Sequence, residues 1–152
     1  MPVVISGKDD LLSRVGQDIT TSDWLEITQE RINQFAEATG DHQWIHVDPE
    51  KAKLGPFGTT IAHGYLTLSL APMLSWQSVT VEGVQMGVNY GSNKVRFITP
   101  VKVGSKVRMH IKLASADPVE PNAIQAVFEN TFEIDGESKP ACVAQIISRY
   151  YF

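Results

Sequence analysis

The stretch from Thr39 to Leu74 reads TGDHQWIHVDPEKAKLGPFGTTIAHGYLTLSLAPML, and its second half decides the fold. From Gly64 to Gln77 no residue is charged, and only Thr67, Ser69, Ser75 and Gln77 are polar. A helix that is apolar nearly all round must be wrapped by other elements. Pro72 would cost about 3 kcal/mol in an ideal helix interior, so a kinked, buried central helix is expected.

The flanks supply the wrapping. Residues Met1 to Thr21 show no sustained period and read as an irregular arm, with Val15-Gly16-Gln17 a turn. Trp24 to Ile27 is a short strand candidate, and Thr28 is an N-cap for a helix carrying Ile32, Phe35 and Ala36, ended by Gly40. Asp48-Pro49 starts another helical turn before the Gly55-Pro56-Phe57-Gly58 loop. Beyond the central helix the period changes to that of strands over Val84 to Tyr90, Asn93 to Phe97, Lys106 to Leu113, Ala123 to Ile134 and Pro140 to Phe152. An antiparallel sheet curled around one helix follows, in the α+β class. At 152 residues the chain suits one domain over 1–152.

Asp41 and His46 lie in loop context between Gly40 and Asp48. A carboxylate beside an imidazole can orient the ring and share one water, as proton transfer to and from a substrate needs. Singly, such residues are more often turn or packing residues. Ile61-Ala62-His63-Gly64 then enters the apolar helix, which places a glycine N–H at a helix start, where a developing oxyanion is stabilised.

Taken in order and spacing, D-H-Q-W-I-H followed by I-A-H-G resembles the MaoC-like, (R)-specific enoyl-CoA hydratases of the hot dog fold, whose signature runs D-x-N-P-x-H and then hydrophobic-H-G. Gln43 and Trp44 stand where that family usually has Asn and Pro, a variation also similar to nodulation protein N-like relatives. The resemblance implies a hot dog fold and reversible hydration of a trans-2-enoyl-CoA to the (R)-3-hydroxyacyl-CoA. It implies Asp41 and His46 as the catalytic pair and Gly64 as the oxyanion donor. Gln43, His63 and Ser69 are supporting candidates; Ser69 either assists the pair or bonds back to its own helix.

Composition bounds the alternatives. Hydrophobic residues make up 43% and charged residues 20%, and a formal charge of −4 gives no reason to expect nucleic acid. No apolar run near the N-terminus has the length of a signal peptide or membrane span, and the single Cys142 forms no internal disulfide, so a cytoplasmic protein is expected. Asp41, His42, His46 and His63 follow no zinc spacing, so no metal and no cofactor are expected. Between Glu82 and Asp117 no residue is acidic, and Lys94 and Arg96 share one strand face that is either simply solvated or a rest for the CoA phosphates. Trp44 and Trp76 are read as core or pocket wall, and pairing of open sheet edges makes a homodimer the expected assembly.

Two rival functions remain at this level. A hot dog acyl-CoA thioesterase would commonly use a carboxylate on or opposite the central helix, whereas Thr60 to Val81 contains no Asp or Glu. A non-catalytic acyl-thioester binding protein would need the pocket but not the ordered acid and base.

Overall fold

The computed structural model describes residues 1–152. In chain order the elements are β1 (Val3–Ile5), α1 (Gly7–Ser13), β2 (Asp18–Thr21), β3 (Leu25–Glu26), α2 (Gln29–Thr39), α3 (Trp44–Val47), α4 (Pro49–Ala52), α5 (Gly64–Ser69), α6 (Ala71–Ser78), β4 (Val79–Val81), β5 (Met86–Phe97), β6 (Lys106–Val119), β7 (Ala123–Ile134) and β8 (Cys142–Tyr151). The main sheet is antiparallel with strand order β2-β6-β7-β8-β5, and β3 also pairs with β6. This is the α+β arrangement expected, a sheet wrapped on a central helix. No helix is long and apolar enough to cross a membrane.

The central helix breaks where Pro72 requires it. Leu70 ends α5 and opens α6, so Pro72 falls in the first turn of the second helix, where its missing N–H costs no hydrogen bond. The break does not interrupt the apolar row. Leu66, Leu70 and Leu74, four apart, are all buried in the core with Met109, Leu113, Phe128 and Phe132 from the sheet. Burying each leucine contributes about 1.5–3 kcal/mol, which outweighs the weak intrinsic stability of two short helices.

Three local expectations are corrected. The first 21 residues form β1, α1 and β2, not an irregular arm. Ile5 and Leu11 are fully buried, and β1 pairs in parallel with β4, a partner 76 positions away in the Val3 to Val79 register that no local period reveals. Gly91 does not separate two strands, because β5 runs unbroken through it with register shifts between Asn89 and Gly91 and between Ser92 and Lys94. The third concerns α3, a single helical turn where loop was expected, which carries His46.

Asp48 caps α4 by accepting from the Lys51 N–H at 3.1 Å, and Thr28 caps α2 by accepting from Arg31 at 3.2 Å. Gly40 ends α2 at φ 81°, the left-handed conformation that glycine adopts without steric cost. That sharp exit turns the chain so that Asp41 follows α2 directly into the site.

Candidate active site

His46 is held at both its backbone and its ring. Its main-chain carbonyl accepts from Gln29 Nε2 at 2.8 Å, and Gln29 Oε1 in turn accepts from the Thr60 hydroxyl at 2.5 Å. Its Nδ1 lies 2.7 Å from the carbonyl oxygen of Ile61, and the Ile61 N–H donates to the Ile45 carbonyl at 3.0 Å. A carbonyl only accepts, so Nδ1 carries the ring proton and Nε2 keeps a free lone pair. The imidazole is therefore fixed in the tautomer that can act as a base.

His63 is the second imidazole of the site. It is only 2% exposed, its ring stacks on that of His46 with centroids 3.8 Å apart, and Phe35 packs beside it at 4.9 Å. Its Nε2 lies 3.0 Å from the main-chain carbonyl of Asp41, so Nε2 holds the proton, while Nδ1 is buried with no partner. Burial pushes this imidazole below the ordinary histidine value, against an opposing bond from the Asp41 carbonyl. His63 is thus a neutral ring against which His46 rests.

The Asp41 side chain is exposed, and its Oδ1 accepts weakly from the Gln43 N–H at 3.4 Å. Asp41, His46 and His63 each bring one carboxylate oxygen or ring nitrogen within 4.8 Å of the others. Three such groups could hold a metal, but the rings are stacked with only 24° between their planes. His46 Nδ1 and His63 Nε2 are committed to backbone carbonyls, which leaves one ring nitrogen on each histidine to meet a proton or a ligand.

Gly64 follows His63 at the first position of α5, where an N–H has no intrahelical acceptor. A Cβ built there would lie 3.0 Å from the Phe97 ring, and a recess of about 190 Å³ lined by Ile61, Thr67, Phe97 and Val101 opens beside it. The glycine therefore serves close packing, which is compatible with an exposed donor role. Gln43 precedes α3 without a side-chain capping bond. The Ser69 hydroxyl donates to the Tyr65 carbonyl at 2.6 Å, its own helix, and not to the pair. Lys94 and Arg96 are exposed on the outer face of β5, the strand that ends in Phe97 over Gly64.

A larger cavity of about 590 Å³ lies between α5–α6 and the sheet; Leu68 and Ser69, one turn along from Gly64, line it, and Asp41, His46, His63 and Gly64 do not. Trp76 is 75% exposed at its rim, a wall and not core, while Trp44 packs under the Lys51 ammonium and against Gly55. Asn130 on β7 reaches this cavity, is 2% exposed, and its Oδ1 has no hydrogen-bond partner. Leaving such a group unpaired costs about 1–3 kcal/mol. The linear reading passed over Gln29 and Thr60, which hold the His46 backbone, and Asn130, which lines the larger cavity. Asn130 had a signal, as the one polar residue on the inward face of an otherwise apolar series Ile124, Ala126, Phe128, Phe132 and Ile134.

The known proteins most informative about this arrangement agree on its family. The model of the MaoC like domain matches residues 10–131. The chain is 55% identical over 141 residues to 3-hydroxyacyl-thioester dehydratase Z of Mycobacterium tuberculosis, covering 93% of each chain. It is 42% identical to nodulation protein N of Rhizobium leguminosarum bv. viciae, covering 94% of this chain and 90% of the relative. Among solved structures, the (R)-hydratase from A. caviae superposes with a TM-score of 0.71 at 23% identity, covering 88% of this chain and 94% of that one, a likeness of fold. Motif, fold and whole-length similarity coincide, and the chain belongs to the MaoC-like dehydratase family.

Proposed function

We propose that this protein is an (R)-specific hydratase, adding water reversibly to a trans-2-enoyl-CoA to give the (R)-3-hydroxyacyl-CoA. The observation that carries the reading is the tautomer of His46: its Nδ1 is committed to the Ile61 carbonyl, which leaves a free lone pair on Nε2, and one of its ring nitrogens lies within 4.8 Å of an Asp41 carboxylate oxygen. The 55% identity to a 3-hydroxyacyl-thioester dehydratase over nearly the whole chain supports the same reaction class.

In this mechanism a water rests between Asp41 and His46. His46 Nε2 takes one of its protons while the oxygen adds to C3 of the enoyl thioester. The displaced π electrons move onto the thioester oxygen, which the Gly64 N–H stabilises. Asp41 returns the proton from His46 to C2, so the elements of one water are added and both residues end as they began. No metal and no cofactor enter the chemistry. A homodimer is supported by β5, an edge strand that leaves Met86, Val88, Tyr90 and Phe97 exposed, and a monomeric mass in light scattering would count against it. The one cysteine, Cys142, is a buried free thiol, as suits the cytoplasm.

The test is loss of the conjugated enoyl-thioester absorbance with crotonyl-CoA and longer homologues, with product stereochemistry determined. Asp41→Ala and His46→Ala should each lower turnover about 10²- to 10⁴-fold while keeping the fold. Near-normal turnover in either variant would remove the assigned pair. Thiol release from saturated acyl-CoA would instead favour a thioesterase, and tight acyl-CoA binding without turnover a binding protein.

A further inference from the structure

β7 alternates more strictly than any other strand of the sheet, and on its inward face Asn130 interrupts an apolar series. The residues beside it in the neighbouring strands are Ile111 of β6 and Ala144 of β8, both buried and apolar, so its paired neighbours offer its carboxamide no side-chain acceptor or donor. The Oδ1 is buried and unpartnered, and the residue lines the 590 Å³ cavity together with Ile111, Phe128 and Ile146. A leucine would fill this place without the penalty of an unpaired amide. The amide therefore points to a ligand that pairs it.

Leu68 and Ser69, which line the cavity, lie one helical turn beyond Gly64 on α5, and in the hydratase reading the chain of a thioester held at the dyad runs along this helix into the cavity. A solitary water is a poor partner at Asn130, since a buried water needs two to four polar contacts and the adjoining side chains on that face are hydrocarbon. A hydroxyl carried on the substrate chain needs only the one. It accepts from Nδ2, and it donates to Oδ1 once the carboxamide turns that buried oxygen toward the cavity.

We propose that Asn130 is a specificity residue that selects acyl thioesters bearing a second oxygen function, a hydroxyl group, on the chain remote from the reacting carbons. This assignment rests on the hydratase reading for its orientation of the chain. It makes a plain saturated tail the poorer substrate, because such a tail leaves the carboxamide unpaired.

The experiment compares trans-2-enoyl-CoA substrates of six to twelve carbons, each with and without a hydroxyl at the terminal carbon. In the wild type, one length should favour the hydroxylated chain by roughly ten-fold in kcat/KM, and Asn130→Leu should remove or reverse that preference. Wild-type preference for the plain chain at every length overturns the proposal while leaving the hydratase reading intact, and needs no variant to fold. An unchanged preference in a folded Asn130→Leu protein overturns it equally. If no enoyl-CoA is hydrated, calorimetric binding of saturated acyl-CoA and its terminal-hydroxy counterpart makes the same comparison: tighter binding of the hydroxylated chain supports the Asn130 assignment, and equal or weaker binding overturns it.

Discussion

The imidazoles of His46 and His63 stack with their centroids 3.8 Å apart, and the two rings are tied to opposite ends of the same loop system. His46 donates to the carbonyl of Ile61, two residues before His63, and His63 donates to the carbonyl of Asp41, five residues before His46. Each histidine is thus oriented by the segment that carries the other. The arrangement fixes ring plane and tautomer together, which is what a general base requires before substrate arrives.

His63 acts in this picture as a positioning residue, and two substitutions separate its two contacts. His63→Phe keeps a ring against His46 but loses the donor to Asp41, whereas His63→Gln keeps a donor but loses the ring. Both should lower kcat by about 10- to 100-fold with a smaller change in KM, since a displacement of a catalytic group by about 1 Å costs on that order. Denaturant unfolding should show both variants folded under the assay conditions, so that the loss falls on the placement of His46. Unchanged kcat in both variants would reduce His63 to core packing.

Stability should depend on pH through the same residue. Burial lowers the His63 value in the folded state, while the unfolded chain titrates near 6.5. Below that value the unfolded state binds the proton first, so stability is complete above about pH 6.5 and falls as the pH drops through the folded value. Urea unfolding at pH 7.5 and at pH 5.5 should show a loss in the wild type that is smaller in His63→Phe. An equal loss in the two proteins would assign the acid sensitivity elsewhere.

Lys94 and Arg96 lie on the exposed face of β5, and the following residue, Phe97, covers Gly64. A CoA nucleotide reaching out from a thioester at Gly64 would meet this strand end. Reversing both charges with Lys94→Glu and Arg96→Glu should raise KM for a CoA substrate about ten-fold at low salt, with kcat little changed. A pantetheine thioester of the same chain, which lacks the nucleotide phosphates, should show no such rise. Equal KM values for wild type and variant on the CoA substrate would make this face simply solvated.

Much of the architecture was legible because burial imposes periodicity. The strand from Ala123 to Ile134 appears at the expected bounds, and the leucines at 66, 70 and 74 mark the buried row of the central helix. What local patterns miss is pairing at a distance. β1 has three residues and exists because Val3, Val4 and Ile5 meet Val79, Thr80 and Val81. Gly91 looks like punctuation but sits in a bulged strand whose hydrogen bonds to β8 continue on either side. In the site, Asp41 and His46 were paired by the resemblance to the family signature, spacing alone being weak, and the structure brings one atom of each within 4.8 Å. The Gln29 to Thr60 link that fixes the His46 backbone joins residues 31 apart and has no sequence signature.

Gly64 offers the sharpest test of how packing and chemistry share a position. A Cβ at this point would lie 3.0 Å from the Phe97 ring, yet alanine keeps the backbone N–H. Gly64→Ala should therefore cost at most about 1 kcal/mol of stability, because the half-exposed Phe97 ring can give by the few tenths of an ångström required. It should also lower turnover at least about ten-fold, because the added methyl stands beside the donor and hinders approach of the thioester oxygen. Adding Phe97→Ala removes the clash, so the double variant should recover the crowding loss, offset in part by the lost Phe97 packing, while turnover stays depressed because the added methyl still stands beside the donor. Denaturant unfolding and the enoyl absorbance assay read the two effects separately. Recovery of both would make the glycine at this position a matter of spacing alone, with the N–H that alanine keeps still serving as the donor.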